Sequence, residues 1–135
     1  MQYTVDKIVH TTNKPFVYVD FNELLDTGLV MLSRHDSRND YCGNPVFLHE
    51  GLEIIGYQED EDMDGARDDL LLEGVCTANT TGLAPHVKWM LRGNDKGIFR
   101  VRCVLESGWF APCGQGAFQY GQESDYPLPP NWKKT

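Results

Sequence analysis

Apolar runs in this chain are short, rich in Val, Ile, Leu and aromatic residues, and bounded repeatedly by Gly, Asn, Asp and Pro. Runs of this kind suit strands, and their spacing suits an all-β (mostly) domain built as a meander or small barrel. Strands are expected over 16–21, 29–33, 46–48, 52–58, 70–78, 86–92 and 98–105. A helix is expected only as a turn over 22–26, where Asn22 can cap but Thr27 and Gly28 follow too soon.

The last two runs predict a hairpin. Val87, Trp89 and Leu91 alternate with His86, Lys88, Met90 and Arg92, and Phe99, Val101 and Leu105 with Arg100, Arg102 and Val104, so these six form its core face. The segment 93–97 (Gly-Asn-Asp-Lys-Gly) supplies residues that tolerate positive φ and is assigned as the loop. A longer hairpin joins 52–58 to 70–78 through an acidic loop, and five or more strands in this order suggest a small SH3-like β-barrel. With 93–97 as the loop, Lys88 faces Arg102 and Met90 faces Arg100. Lys88, Arg92, Arg100 and Arg102 then share an outward basic face, to be answered by solvent and salt, by a neighbouring subunit's acidic loop or by a small anion.

After Leu105 the character changes. Four glycines between 108 and 121 are mixed with Trp109, Phe110, Phe118 and Tyr120, and Pro127, Pro129 and Pro130 follow. The division expected is a single β-barrel domain over 1–107 and a Gly/aromatic-rich C-terminal tail over 108–135, packed on the domain or on a partner subunit. At 135 residues the chain can bury one core without metals or disulfides. Its net charge of -8 argues against nucleic acid, and no run approaches a bilayer span, so no membrane partner is expected. A polar N-terminus without an apolar leader segment suggests a cytoplasmic protein, in which Cys42, Cys76, Cys103 and Cys113 would be free thiols.

Residues 29–98 resemble a group of uncharacterised small bacterial proteins, some carried on mobile integron gene cassettes. The resemblance lies in an ordered set of pieces: Gly28 to Ser33, His49-Glu50-Gly51-Leu52, Tyr57 before an acidic loop, Glu73-Gly74-Val75, and His86 to Trp89 leading into Gly97-Ile98. It implies a β-rich fold and carries no activity, cofactor or catalytic residue.

The sharpest chemical signal is the acidic stretch 60–69. Asp60, Asp62 and Asp64 alternate before Gly65, as in the opening of a calcium loop, and Asp68 falls at the ninth position. Leu71 stands where an EF-hand needs a bidentate Glu and the flanks read as strands, which excludes that motif and leaves a looser calcium site as an alternative. The cysteines and histidines lack zinc-ligand spacing, and Ser33, His35 and Asp36 stand too close together for a catalytic triad. Cys113 lacks a neighbour that would activate it, and there is no phosphate-cradling loop or nucleophile elbow. No cofactor is expected apart from that calcium. The pattern favours a non-enzymatic binding or accessory module, self-associating as a homo-oligomer, with a protein or small-molecule ligand. A calcium-binding β-protein, an acidic inhibitor or immunity protein, and a small enzyme are the alternatives.

Overall fold

The computed structural model describes residues 2–26 and 28–107, with 24–26 and 107 by backbone alone. Among them run eight strands, β1 (Phe16–Tyr18), β2 (Leu24–Asp26), β3 (Leu29–Ser33), β4 (Ser37–Asn39), β5 (Pro45–Phe47), β6 (Glu53–Gln58), β7 (Leu70–Ala78) and β8 (Trp89–Arg100), then one α-helix, α1 (Val101–Ser107). Six strands form one sheet in the order β1-β6-β7-β8-β3-β2, while β4 and β5 pair separately. Only β1 and β6 run parallel; the other pairs are antiparallel. The expected all-β fold is present as a curled half-barrel.

Apolar pairs within the strands explain the curl. Val17, Ile54, Leu72 and Ile98 lie in one cluster, while their neighbours Phe16, Ile55, Leu71 and Phe99 lie in another. Adjacent residues in a strand point to opposite faces, so both faces of this sheet are buried and the runs read as continuously apolar. The first cluster joins Val17 in β1 to Val30 in β3, near opposite edges of the sheet, which requires the sheet to bend around it. Phe21, Val46 and Leu48 close that interior. The other face is covered at one end by Val5, Ile8 and Val9 together with Val101 and Val104 of α1. Leu29, Met90 and Val87 fill its far end.

The expected hairpin over 86–105 is corrected. β8 is one strand from Trp89 to Arg100, and its partner on either side is β3 or β7, never its own second half. In the β7–β8 register Leu72 opposes Ile98 and Gly74 opposes Gly93, so four residues of β8 bulge out against Glu73 alone. Asn94 Oδ1 accepts the Lys96 N–H at 3.0 Å and Gly97 takes φ +67°, so the turn-forming residues make a turn, yet inside a strand. Gly74 permits the close approach beside the bulge: a Cβ there would lie 2.1 Å from the Arg92 carbonyl oxygen.

This correction moves one of the expected core residues out of the interior. Val87, Leu91, Phe99 and Val101 are buried and Trp89 is partly buried, but Leu105 is 45% exposed. Residues from Val101 onward are helical, so Val101 and Val104 share the inward stripe and Leu105 turns away. The expected helical turn over 22–26 is a three-residue 3-10 turn at Phe21–Glu23 followed by β2. Cys42 and Cys76 are free, but Cys103 is disulfide-bonded, which corrects the expectation of four free thiols. The expected tail, 108–135, lies outside the described residues.

Candidate binding face

Three tyrosines form a row at the edge of the sheet. Tyr18 ends β1 and stands in register with Tyr57 of β6, so their rings project from the same face. The rings meet edge to face at 5.8 Å. Tyr41 arrives from the connection between β4 and β5 and packs edge-on against Tyr57 at 5.6 Å. A tight loop fixes it: Asp40 Oδ1 accepts the Cys42 and Asn44 N–H groups at 2.9 Å each, and the Tyr41 N–H donates to the Phe16 carbonyl at 2.7 Å. Asp-x-x-Gly-Asn is turn chemistry, since the Asp side chain holds the following amides and Gly43 takes φ +86°.

Arg38 of β4 completes the mounting, donating to the carbonyl oxygens of Tyr18 at 2.9 Å and of Leu32. The outward carbonyls of β1 at Phe16 and Tyr18 are thereby occupied by Tyr41 and Arg38, which closes this edge to strand addition. Tyr18 and Tyr41 remain 44% and 42% exposed and Tyr57 is half-buried. None of the three hydroxyls bonds to a described residue. Burial raises the phenol pKa of Tyr41 and Tyr57 above the ordinary value, with nearby Asp6 adding to the first and Tyr41 to the second. Both phenols are therefore protonated donors at neutral pH. Apolar ring faces with unused O–H donors can cover an apolar ligand and bond its carbonyls.

The acidic stretch, the alternative calcium loop, lies beside this row, and its carboxylates are engaged one by one. Asp60 pairs with Arg100 at 3.1 Å, and Asp62 Oδ1 accepts the N–H groups of Asp64 and Ala66 at 2.9 and 3.0 Å. Asp64 is exposed, while buried Asp68 accepts the Arg102 N–H at 3.0 Å. Asp68 has its carboxyl pKa raised by burial. No group of three His, Cys, Asp or Glu side chains among the described residues is placed to hold a metal ion. Asp69, which the acidic pattern did not single out, is the node of this region. It is 1% exposed and accepts from the Val5 and Asp60 N–H groups at 3.0 and 3.3 Å and from Arg67 Nε and Nη2 at 2.9 Å each.

The four cations of the expected basic face are not brought together. Lys88 pairs with Asp36 at 2.7 Å, Arg100 with Asp60, and Arg102 with Glu106 at 3.3 Å, while Arg92 sits in β8 between Leu29 and Val75. They are spread from the residue before β8, along that strand and into α1, because the fold-back that would have paired them is absent. Ser33, His35 and Asp36 form no triad: Ser33 Oγ accepts the His35 N–H at 2.9 Å, and Asp36 accepts from Lys88 and from Trp89 Nε1.

A second polar feature lies at the other side of β6, where an open cleft of about 350 Å³ is lined by Asn13, Lys14, Pro15, His49, Gly51, Leu52 and Glu53. Lys14 Nζ sits between Glu53 at 2.9 Å and Glu73 at 2.7 Å. Against its desolvation, those two carboxylates raise the lysine pKa, so it stays charged at neutral pH. Comparison with known proteins finds no matching family model, no curated protein and no solved structure.

The tyrosines were missed because each stands singly in the sequence. The available signal was the turn chemistry at Asp40 to Asn44, which holds Tyr41 within it. Their convergence depends on the parallel β1–β6 pairing, which no local pattern announces.

Proposed function

We propose that this protein is a non-enzymatic binding module that holds an extended segment of a protein ligand on Tyr18, Tyr41 and Tyr57. The observation that carries this is a row of three mutually packed rings whose hydroxyls bond to no described residue. Tyrosine supplies large contact area at low entropic cost and is enriched at recognition surfaces for that reason. Self-association belongs to the same proposal. Phe47, 72% exposed on the outer face of the β4–β5 pair, is an apolar contact it would use.

Selecting displayed peptides against the protein tests this. Enrichment should favour extended proline- or aromatic-containing sequences, and binding should disappear in Tyr18→Ser/Tyr41→Ser while the fold persists. Selected peptides that bind this variant as tightly as the wild type would remove the tyrosine face as the site.

A further inference from the structure

Resting on the binding-module reading above, we infer that the protein ligand is held through an arginine, whose guanidinium lies against the rings of Tyr18, Tyr41 and Tyr57 and pairs with Glu59 at their rim. The rings are not laid flat as one platform. Tyr18 meets Tyr57 at 81° and Tyr41 meets Tyr57 at 73°, so each pair makes a near right-angled corner in which one ligand group can touch two rings. Such a corner suits a compact cation, which the negative face of a phenol attracts within about 6 Å of the ring centroid. A guanidinium fits it best, because its planar fork stacks on one ring and its N–H groups still reach oxygen acceptors beside it. Those acceptors are at hand. A phenol oxygen accepts as well as donates, and none of the three hydroxyls bonds to a described residue.

The charge around the row has the sign this requires. Glu59 follows Tyr57 closely in sequence and its side chain is 71% exposed; Asp6 is exposed as well. Both stand near enough to act on the phenols: after burial, Asp6 raises the pKa of Tyr41, and Tyr41 and then Glu59 raise that of Tyr57. The cations of the neighbourhood are already committed. Arg67 donates to Asp69 through Nε and Nη2 at 2.9 Å each and stands 3.7 Å from Glu59, too far for a hydrogen bond. Arg38 donates to the carbonyl oxygens of Tyr18 and Leu32. Glu59 therefore keeps acceptor capacity that only an incoming cation can use in full. The row suits an extended segment, whose side chains on one side stand about 7 Å apart, so an arginine takes one corner and an apolar neighbour the other. With a net charge of -8, the protein also draws a basic partner toward it.

The test uses the full chain, immobilised, with pools of short peptides randomised except at one central position. That position is fixed as arginine, lysine or citrulline, the last having arginine's shape without its charge. The arginine pool should be retained about fivefold or more over the citrulline pool, and by a smaller margin over the lysine pool. Glu59→Gln should remove most of arginine's advantage and leave retention of the citrulline pool unchanged. Glu61→Gln/Asp64→Asn, exposed carboxylates farther along the same stretch, should leave the advantage in place. If that pair lowers it as much as Glu59→Gln, the attraction is diffuse charge and the inference is overturned, as it is if lysine is retained as well as arginine. Arginine and citrulline pools retained equally, but only with Tyr18 and Tyr41 present, would overturn the arginine and leave the binding reading standing. Retention that persists in Tyr18→Ser/Tyr41→Ser, or no retention of any pool by wild type, would overturn both.

Discussion

Asp69 and Tyr57 lie a dozen residues apart and close in space, yet they are built on opposite terms. Asp69 is 1% exposed and accepts from two backbone amides and from both arms of Arg67. Glu73, 7% exposed, is similarly committed, to Lys14 and Asn94 at 2.7 Å each and to Lys96 at 3.5 Å. These carboxylates tie the N-terminal segment and the β8 bulge to β7. The tyrosines are fixed just as firmly by backbone contacts, but their polar ends touch nothing described. A buried group whose hydrogen bonds are all used holds the fold together, while a rigid group left with spare capacity is available to a ligand.

The comparison can be broken first where backbone meets backbone. Gly74→Ala would press a Cβ onto the Arg92 carbonyl, with no side chain able to yield. It should cost more than about 4 kcal/mol and leave little folded protein, as circular dichroism would show. Asp69→Ala, which strands Arg67 and two amides, should lose about 3–5 kcal/mol in urea denaturation. If either substitution is tolerated within ~1 kcal/mol, the saturated region is not what secures the fold. On the other side, Tyr18→Ser and Tyr41→Ser should each change stability by less than about 1 kcal/mol while weakening a bound peptide about tenfold or more. A large stability loss there would make the tyrosines structural.

The smallest effect concerns Cys76, fully buried in the first cluster. Burial pushes its thiol up to about 11 from 9.0. The folded chain keeps this proton to higher pH than the unfolded chain, so the stability it contributes is present below pH 9 and is lost as pH rises toward 11. Urea midpoints of wild type should fall more steeply across that interval than those of Cys76→Ala. Equal slopes would contradict it.

Strand positions were readable because runs such as Leu70 to Cys76 are too apolar and too short for anything else in a domain of this size. Pairing was not. Gly93 to Gly97 carries every local mark of a hairpin loop, and locally it does turn, but the two flanking segments find other partners in β3 and β7. Beyond Arg100 the apolar residues fit a period of two as well as a period near four. Burial of Val101 and Val104 beneath the N-terminal segment decides for the helix, a contact between residues a hundred positions apart. The acidic stretch was visible as composition, but whether carboxylates converge on a cation or disperse onto amides is set by where Arg67, Arg100 and Val5 arrive in space.

The N-terminal segment also has a consequence for synthesis. Val5, Ile8 and Val9 are synthesised well before several of the residues that bury them, Leu71, Phe99 and Val104. Tyr3 exchanges backbone hydrogen bonds with Arg67 and Asp69, which are likewise far downstream. The nascent chain must therefore carry these apolar residues without those partners until residue 104 has been made, and only then can this face of the sheet be covered. Until then the segment is exposed apolar surface of the kind that aggregates, and a ribosome stalled before residue 99 would display a product that cannot close.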